Sequence, residues 1–203
     1  MIRYPRIHSP DCRRDKKKLK AAVPPEASAA DSDSGVKAAD YLDWNHALQK
    51  AYRLLSLRPH SAKEMESKLR RKGFPETVIK ETIEKLLDMQ YLNDISFAGQ
   101  WAHNLAANKL WGNRKIIASL REKGLAADLI GNAIEEVRQE FSEENAMAIL
   151  IRKKTAGKKL VAIDIKEKKR IFQSLLGRGF PAGLILNKLG EAAEEDINDA
   201  DGQ

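Results

Sequence analysis

The side chains able to make or break bonds are few and scattered. Histidines stand at His8, His46, His60 and His103, and the single cysteine is Cys12. None of them has a second His or Cys at metal-ligand spacing. No glycine-rich phosphate loop and no nucleophile elbow occurs. Acids such as Glu81, Glu84, Glu135 and Glu136 lie among basic residues at helical spacing, where surface ion pairing is the expected role. The sequence therefore motivates no catalytic residue, cofactor or metal, and a non-enzymatic protein is expected.

The chemistry that is abundant is cationic. One cluster is Lys68, Arg70, Arg71 and Lys72; a second is Arg114, Lys115, Arg121 and Lys123. A third is Arg152, Lys153, Lys154, Lys158 and Lys159, and a fourth is Lys166, Lys168, Lys169, Arg170 and Arg178. Fourteen of these are candidate contacts to a phosphate backbone or an acidic protein surface, namely all except Lys158, Lys159, Lys166 and Lys168. The whole chain carries +7, with +3 in residues 1–40 and −6 in residues 191–203, so residues 41–190 carry +10. A segment this basic favours a polyanionic partner, with non-specific nucleic-acid binding the usual case.

These cations need a scaffold, and the sequence repeats one. Ala, Leu, Lys and Glu are frequent and only 6% of residues are aromatic, which favours helices. Met65, Leu69, Gly73, Phe74, Ile79 and Ile83 form a pattern of apolar positions around a glycine. It recurs as Ile116, Leu120, Gly124, Leu125, Ile130 and Ile134, and again as Ile171, Leu175, Gly179, Phe180, Ile185 and Leu189. The copies are offset by 51 and 55 residues. Each reads as a helix, a glycine-assisted turn and a second helix. Each is preceded by a further amphipathic helix, at ~42–57, ~94–109 and ~142–153.

The expected architecture is all-α: three tandem three-helix, helix-turn-helix-like repeats in an elongated array. The expected division is a disordered basic tail over 1–40, repeats over 41–93, 94–140 and 141–190, and an acidic frayed tail over 191–203. Ser61 with Glu64 matches a reciprocal capping box, and Asn93–Asp94 and Asn113 are further helix-capping candidates. Trp44 and Trp101 are expected in the core, and Trp111 as a hydrophobic staple on the turn before the next helix. A lone cysteine permits no internal disulfide, no run approaches the ~18 apolar residues of a membrane helix, and the opening residues lack a signal-peptide core. A cytoplasmic monomer without membrane contact is expected.

A helix, a glycine turn and a second helix is also the outline of the DNA-reading motif. Its second helix would enter the major groove, yet here those helices are PETVIKETIEKLLDM and AADLIGNAIEEV, both rich in acids. Acids facing phosphates repel, so a helix-turn-helix transcriptional regulator is the alternative rather than the leading reading.

The run ALQKAYRLLSLRPHSAKEMESKLRRKGFPETVIKETIEKLLDMQYLNDISFAGQWA resembles the opening of the RecX family. WGNRKIIASLREKGL is similar to that family's second repeat, and KKRIFQSLLGRGF to its last. The resemblance spans roughly residues 45–190, with Met65 where a Leu is usual. It implies a regulator that lodges in the groove of the RecA–DNA filament and suppresses its ATP hydrolysis, strand exchange and co-protease activity. The partners it implies are RecA and filament-bound or single-stranded DNA.

Overall fold

The architecture is that of a computed structural model, which describes residues 38–156 and 162–198. The expected tail as far as residue 37, with Cys12, lies outside the described residues, as do Lys158 and Lys159. Among the described residues there are nine helices and no strand. They are α1 Ala38–Leu55, α2 Ala62–Arg70, α3 Glu76–Asp88, α4 Asp94–Ala107, α5 Asn113–Glu122, α6 Ala127–Glu140, α7 Glu143–Lys154, α8 Ile165–Leu176 and α9 Ala182–Asn198.

Helix packing is confined almost wholly to consecutive triplets. In α1–α3 the core gathers Ala47, Ala51, Met65, Leu69, Ile79 and Leu86. In α4–α6 it gathers Phe97, Ala102, Ile116, Leu120, Ile130 and Val137. In α7–α9 it gathers Met147, Leu150, Ile171, Leu175, Phe180 and Ile185. Residues four apart on α2, α5 and α8 share a face, which is why the paired apolar positions of the sequence pattern are the buried ones. The helix that follows each of them starts after Gly73, Gly124 or Gly179, at φ of +86°, +78° and +90°. That left-handed conformation ends the helix and reverses the chain, and glycine adopts it without a Cβ penalty.

The triplets meet through joints of one design. In the first joint Ser61, the N-cap of α2, accepts from Glu64 N–H at 3.1 Å and donates its hydroxyl to the Lys123 carbonyl at 2.6 Å. The first helical amide, Ala62 N–H, donates to the Asp94 carboxylate at 2.9 Å. In the second joint Gly112, the N-cap of α5, donates its N–H to the Arg178 carbonyl at 2.9 Å. The first helical amide there, Asn113 N–H, donates to the Glu143 carboxylate at 2.7 Å. Each joint thus seats the glycine turn of one triplet on the N-terminus of the middle helix of the triplet before it. A Cβ on Gly112 would lie 2.5 Å from the Gly179 carbonyl group, and one on Gly179 would lie 2.5 Å from the Lys115 nitrogen, so this seat requires two bare backbones.

Four local expectations differ from the structure. The Ser61–Glu64 box is half formed: Ser61 caps, but the Glu64 carboxylate is taken by Arg58 and Lys123. Asn113 is not the cap of α5 but its first residue, and its side chain bridges Glu143 and Arg138. The last helix runs to Asn198 instead of fraying from residue 191, because EAAEE is made of strong helix formers that simply continue α9. At the other end, α1 starts at Ala38, inside the stretch expected to lack structure.

A pair of glycine substitutions separates helix propensity from joint sterics. Gly131 lies inside α6 with nothing within 4 Å of an added Cβ, so Gly131→Ala raises unfolding stability by about 0.5–1 kcal/mol. Gly112 has an ordinary φ of −74°, so Gly112→Ala meets no left-handed strain; it clashes with the Gly179–Phe180 peptide and lowers stability by about 1–3 kcal/mol. Thermal unfolding of the two variants measures both signs.

Candidate nucleic-acid interface

The fourteen candidate cations divide into two groups. Four are held within the fold. Arg70 pairs with Glu66 at 2.6 Å and with Glu76 at 2.7 Å across the glycine turn. Those hydrogen bonds, the ones Arg70 donates to Glu76 foremost, push its guanidinium pKa further up and pull the Glu76 carboxyl down. Lys123 reaches Glu64 at 3.0 Å and lies 5.0 Å over the Trp101 ring. Lys115 donates to the Gly177 carbonyl at 3.1 Å and lies 4.5 Å over Trp111. Arg178 donates to the Lys109 carbonyl at 2.9 Å. The last three span the joints.

The other candidates carry no ion pair among the described residues. Arg71, Lys72, Arg114, Arg121, Arg152, Lys153, Lys154, Lys169 and Arg170 are exposed, and Lys68 is half-buried. Arg152 and Lys153 line an open depression beside the exposed Ile149. Laid on the repeat, the cations fall at matching positions. Lys63, Arg114 and Lys169 each stand two residues before the first buried residue of the middle helix, Met65, Ile116 or Ile171. Arg70 and Arg121 each follow the second buried residue, Leu69 or Leu120, where α8 instead has Leu176. Residues seven apart on a helix project the same way, so Lys63 with Arg70, and Arg114 with Arg121, share the face turned from the core.

The most heavily engaged acid is Glu64. Arg58 grips it with two hydrogen bonds, at 3.0 and 2.5 Å, and Lys123 adds a third from the next triplet. Burial pushes the Glu64 carboxyl up, but the two cations outweigh burial and hold it down to about 2. His60 beside it is 4% exposed, and its Nδ1 lies 2.8 Å from the Arg58 carbonyl. Burial first, and Arg58 second, lower its pKa, which fits a neutral ring donating to that carbonyl.

Sequence reasoning missed the residues that brace the second joint. Arg138 donates to the Asn113 side chain at 2.7 Å and to the Trp111 and Phe141 carbonyls, both at 2.9 Å. Burial lowers its pKa, opposed by the nearby Glu143. Arg138 looks like any surface cation in the sequence, because its partners are set by packing rather than spacing. The tryptophans sit half in the core: Trp101 stacks on Phe97 with ring centres 5.6 Å apart and donates to Ser119 at 3.0 Å. The acids of the second helices are exposed: Glu76 pairs with Arg70, Glu136 is engaged, and Glu81, Glu84 and Glu135 form no ion pair among the described residues. Their exposure argues against those helices as groove readers. No group of three or more His, Cys, Asp or Glu side chains converges among the described residues, and no described helix is long and apolar enough to cross a membrane.

The fold and this surface define an all-helical repeat protein with cations in register along its triplets. Residues 47–86 match the first three-helix domain of RecX and residues 93–134 match the second. A regulatory protein RecX of Corynebacterium efficiens is 29% identical over 154 residues, covering 74% of this chain and 73% of that protein. A regulatory protein RecX of Listeria monocytogenes is 33% identical over 169 residues, 81% of this chain but 60% of its own length. The fold agrees with the crystal structure of RecX from Lactobacillus salivarius, at a TM-score of 0.61, 23% identity and coverage of 76% of this chain and 98% of that one. The chain belongs to the RecX family of regulatory proteins.

The Glu64 network yields a pH-dependent prediction. Glu64→Gln removes the charge that Arg58 and Lys123 share and lowers stability by about 1–2 kcal/mol near neutrality. A depressed folded-state pKa stabilises above the unfolded value and is lost as pH falls through the folded one. The gap between wild type and variant therefore closes from pH 4.5 down to about 2. Denaturant titrations across that range measure it.

Proposed function

We propose that this chain binds the RecA filament on DNA and restrains it by occupancy, without catalysing a reaction. The observation that carries the proposal is the return of exposed cations at Lys63, Arg114 and Lys169, one per triplet, on middle helices whose mutual placement the joints fix. A rigid series of equivalent positive positions suits a partner that is itself a regular polyanion, such as a nucleoprotein helix. Several weak contacts along such a lattice multiply into high avidity. In this reading the chain acts as a cytoplasmic monomer, contacts DNA backbone non-specifically, and slows filament ATP hydrolysis, strand exchange and co-protease activity. The family it belongs to, named for regulation, supports the same direction.

The direct test adds the protein substoichiometrically to RecA assembled on single-stranded DNA. ATP hydrolysis and strand exchange are expected to slow; unchanged rates contradict the proposal. Substituting Arg114, Arg121 and Lys169 together by Gln weakens DNA and filament binding while leaving helicity intact. The slope of log affinity against log salt becomes shallower by about 1 for each phosphate that the variant no longer neutralises, which titrations at several salt concentrations measure.

A further inference from the structure

Three turns of the same design occur in the chain, and two of them are seated. The turn ending at Gly124 rests on the N-terminus of α2, and the turn ending at Gly179 rests on the N-terminus of α5. The turn ending at Gly73 rests on no other element among the described residues. A Cβ on Gly73 would meet no atom within 4 Å, whereas one on Gly124 would collide with the Lys63 side chain and one on Gly179 would fall 2.5 Å from the Lys115 nitrogen. The carbonyls of Lys123 and Arg178 each accept a hydrogen bond from the N-cap residue beneath them. No donor reaches the equivalent carbonyl, that of Lys72, among the described residues. Exposure follows the same division. Lys123 and Arg178 are half-buried and Lys72 is exposed; Leu125 and Phe180 are buried and Phe74 is only partly so.

We infer that the Arg71–Phe74 turn is a protein-docking plug, which seats on the N-terminus of a helix in the partner, as its two sibling turns seat within the chain. The partner helix begins at a small N-cap residue, Ser or Gly in the two internal seats, with a hydroxyl or N–H for the Lys72 carbonyl. The partner is not a second copy of this chain. The seats on α2 and α5 are already filled. The α8 seat is closed by its own helix: α8 starts six residues before its buried Ile171, whereas α2 and α5 start three residues before Met65 and Ile116. That extra turn, Ile165–Glu167, occupies the level at which a glycine turn would sit. The inference rests on the filament reading above and names the element that touches the recombinase protein rather than its DNA.

The discriminating variant is Gly73→Asn. Asn tolerates the left-handed backbone that Gly73 adopts, and the open space around Gly73 accommodates it in the free chain. A seat as tight as those at Gly124 and Gly179 does not. The half-inhibitory concentration against RecA ATP hydrolysis on single-stranded DNA is expected to rise about tenfold or more, with circular dichroism, melting temperature and free-DNA affinity unchanged. A second measurement is independent of that substitution: Lys72→Cys labelled with benzophenone, with Cys12 replaced by Ser, is photo-crosslinked on the filament. Capture at the first turn of a recombinase helix is the expected result. Inhibition by Gly73→Asn equal to wild type, an equal loss of free-DNA affinity, or crosslinking to DNA or to a second copy overturns the plug. Failure of the wild-type protein itself to inhibit overturns the filament reading instead.

Discussion

The first turn of any α-helix leaves backbone N–H groups without partners inside the helix, and a buried end must find acceptors elsewhere. Here the first helical amides of α2 and α5 are satisfied by carboxylates from the next triplet, Asp94 and Glu143. Each of those acids is also the first residue of its own helix, α4 or α7. One negative charge thus serves the positive ends of two helices at once. The buried core of each triplet is its own; among the described residues only Leu110 packs against the next core across the second joint, and polar atoms with fixed directions supply the other contacts.

That constraint sorts residues that look alike. Lys123, Lys115 and Arg178 belong to the same basic clusters as Arg121, Arg114 and Lys169, yet the first three close the joints and the last three face outward. The outward cations gain meaning from the closed ones, because a rigid joint is what turns three separate charges into a series with fixed spacing. The two joints differ in chemistry. The first leans on the ion pairs of Arg58, Glu64 and Lys123, which salt and acid weaken; the second adds to its Glu143 carboxylate a close backbone contact between Gly112 and Gly179, which salt does not weaken.

Much of the fold was legible because it is local. The Met65–Leu69–Gly73 pattern states a helix face and its stop within nine residues, and the same physics acts on Ile116–Leu120–Gly124 and Ile171–Leu175–Gly179. The joints were not legible, since Ser61 meets Lys123 across 62 positions and Arg178 meets Lys109 across 69. No spacing rule reaches that far. Hence Glu64 read as the second half of a capping box, when two cations claim it, and Arg138 drew no reading at all. Clustering in the sequence singled out groups of basic residues but passed over Lys63, and could not separate Arg70, held by Glu66 and Glu76, from Arg71 beside it. Folding made that separation, by bringing Glu76 round the turn to Arg70.

The central claim is that polar joints hold the triplets at one fixed placement. The most direct measurement is the distance distribution between nitroxide labels at Glu84 in the first triplet and Gln173 in the third, with Cys12 replaced by Ser. A single narrow distance that broadens on substitution of Gly112 by Ala is the result predicted. A broad distribution in the otherwise unaltered protein would mean that the triplets hang independently, and would contradict the account.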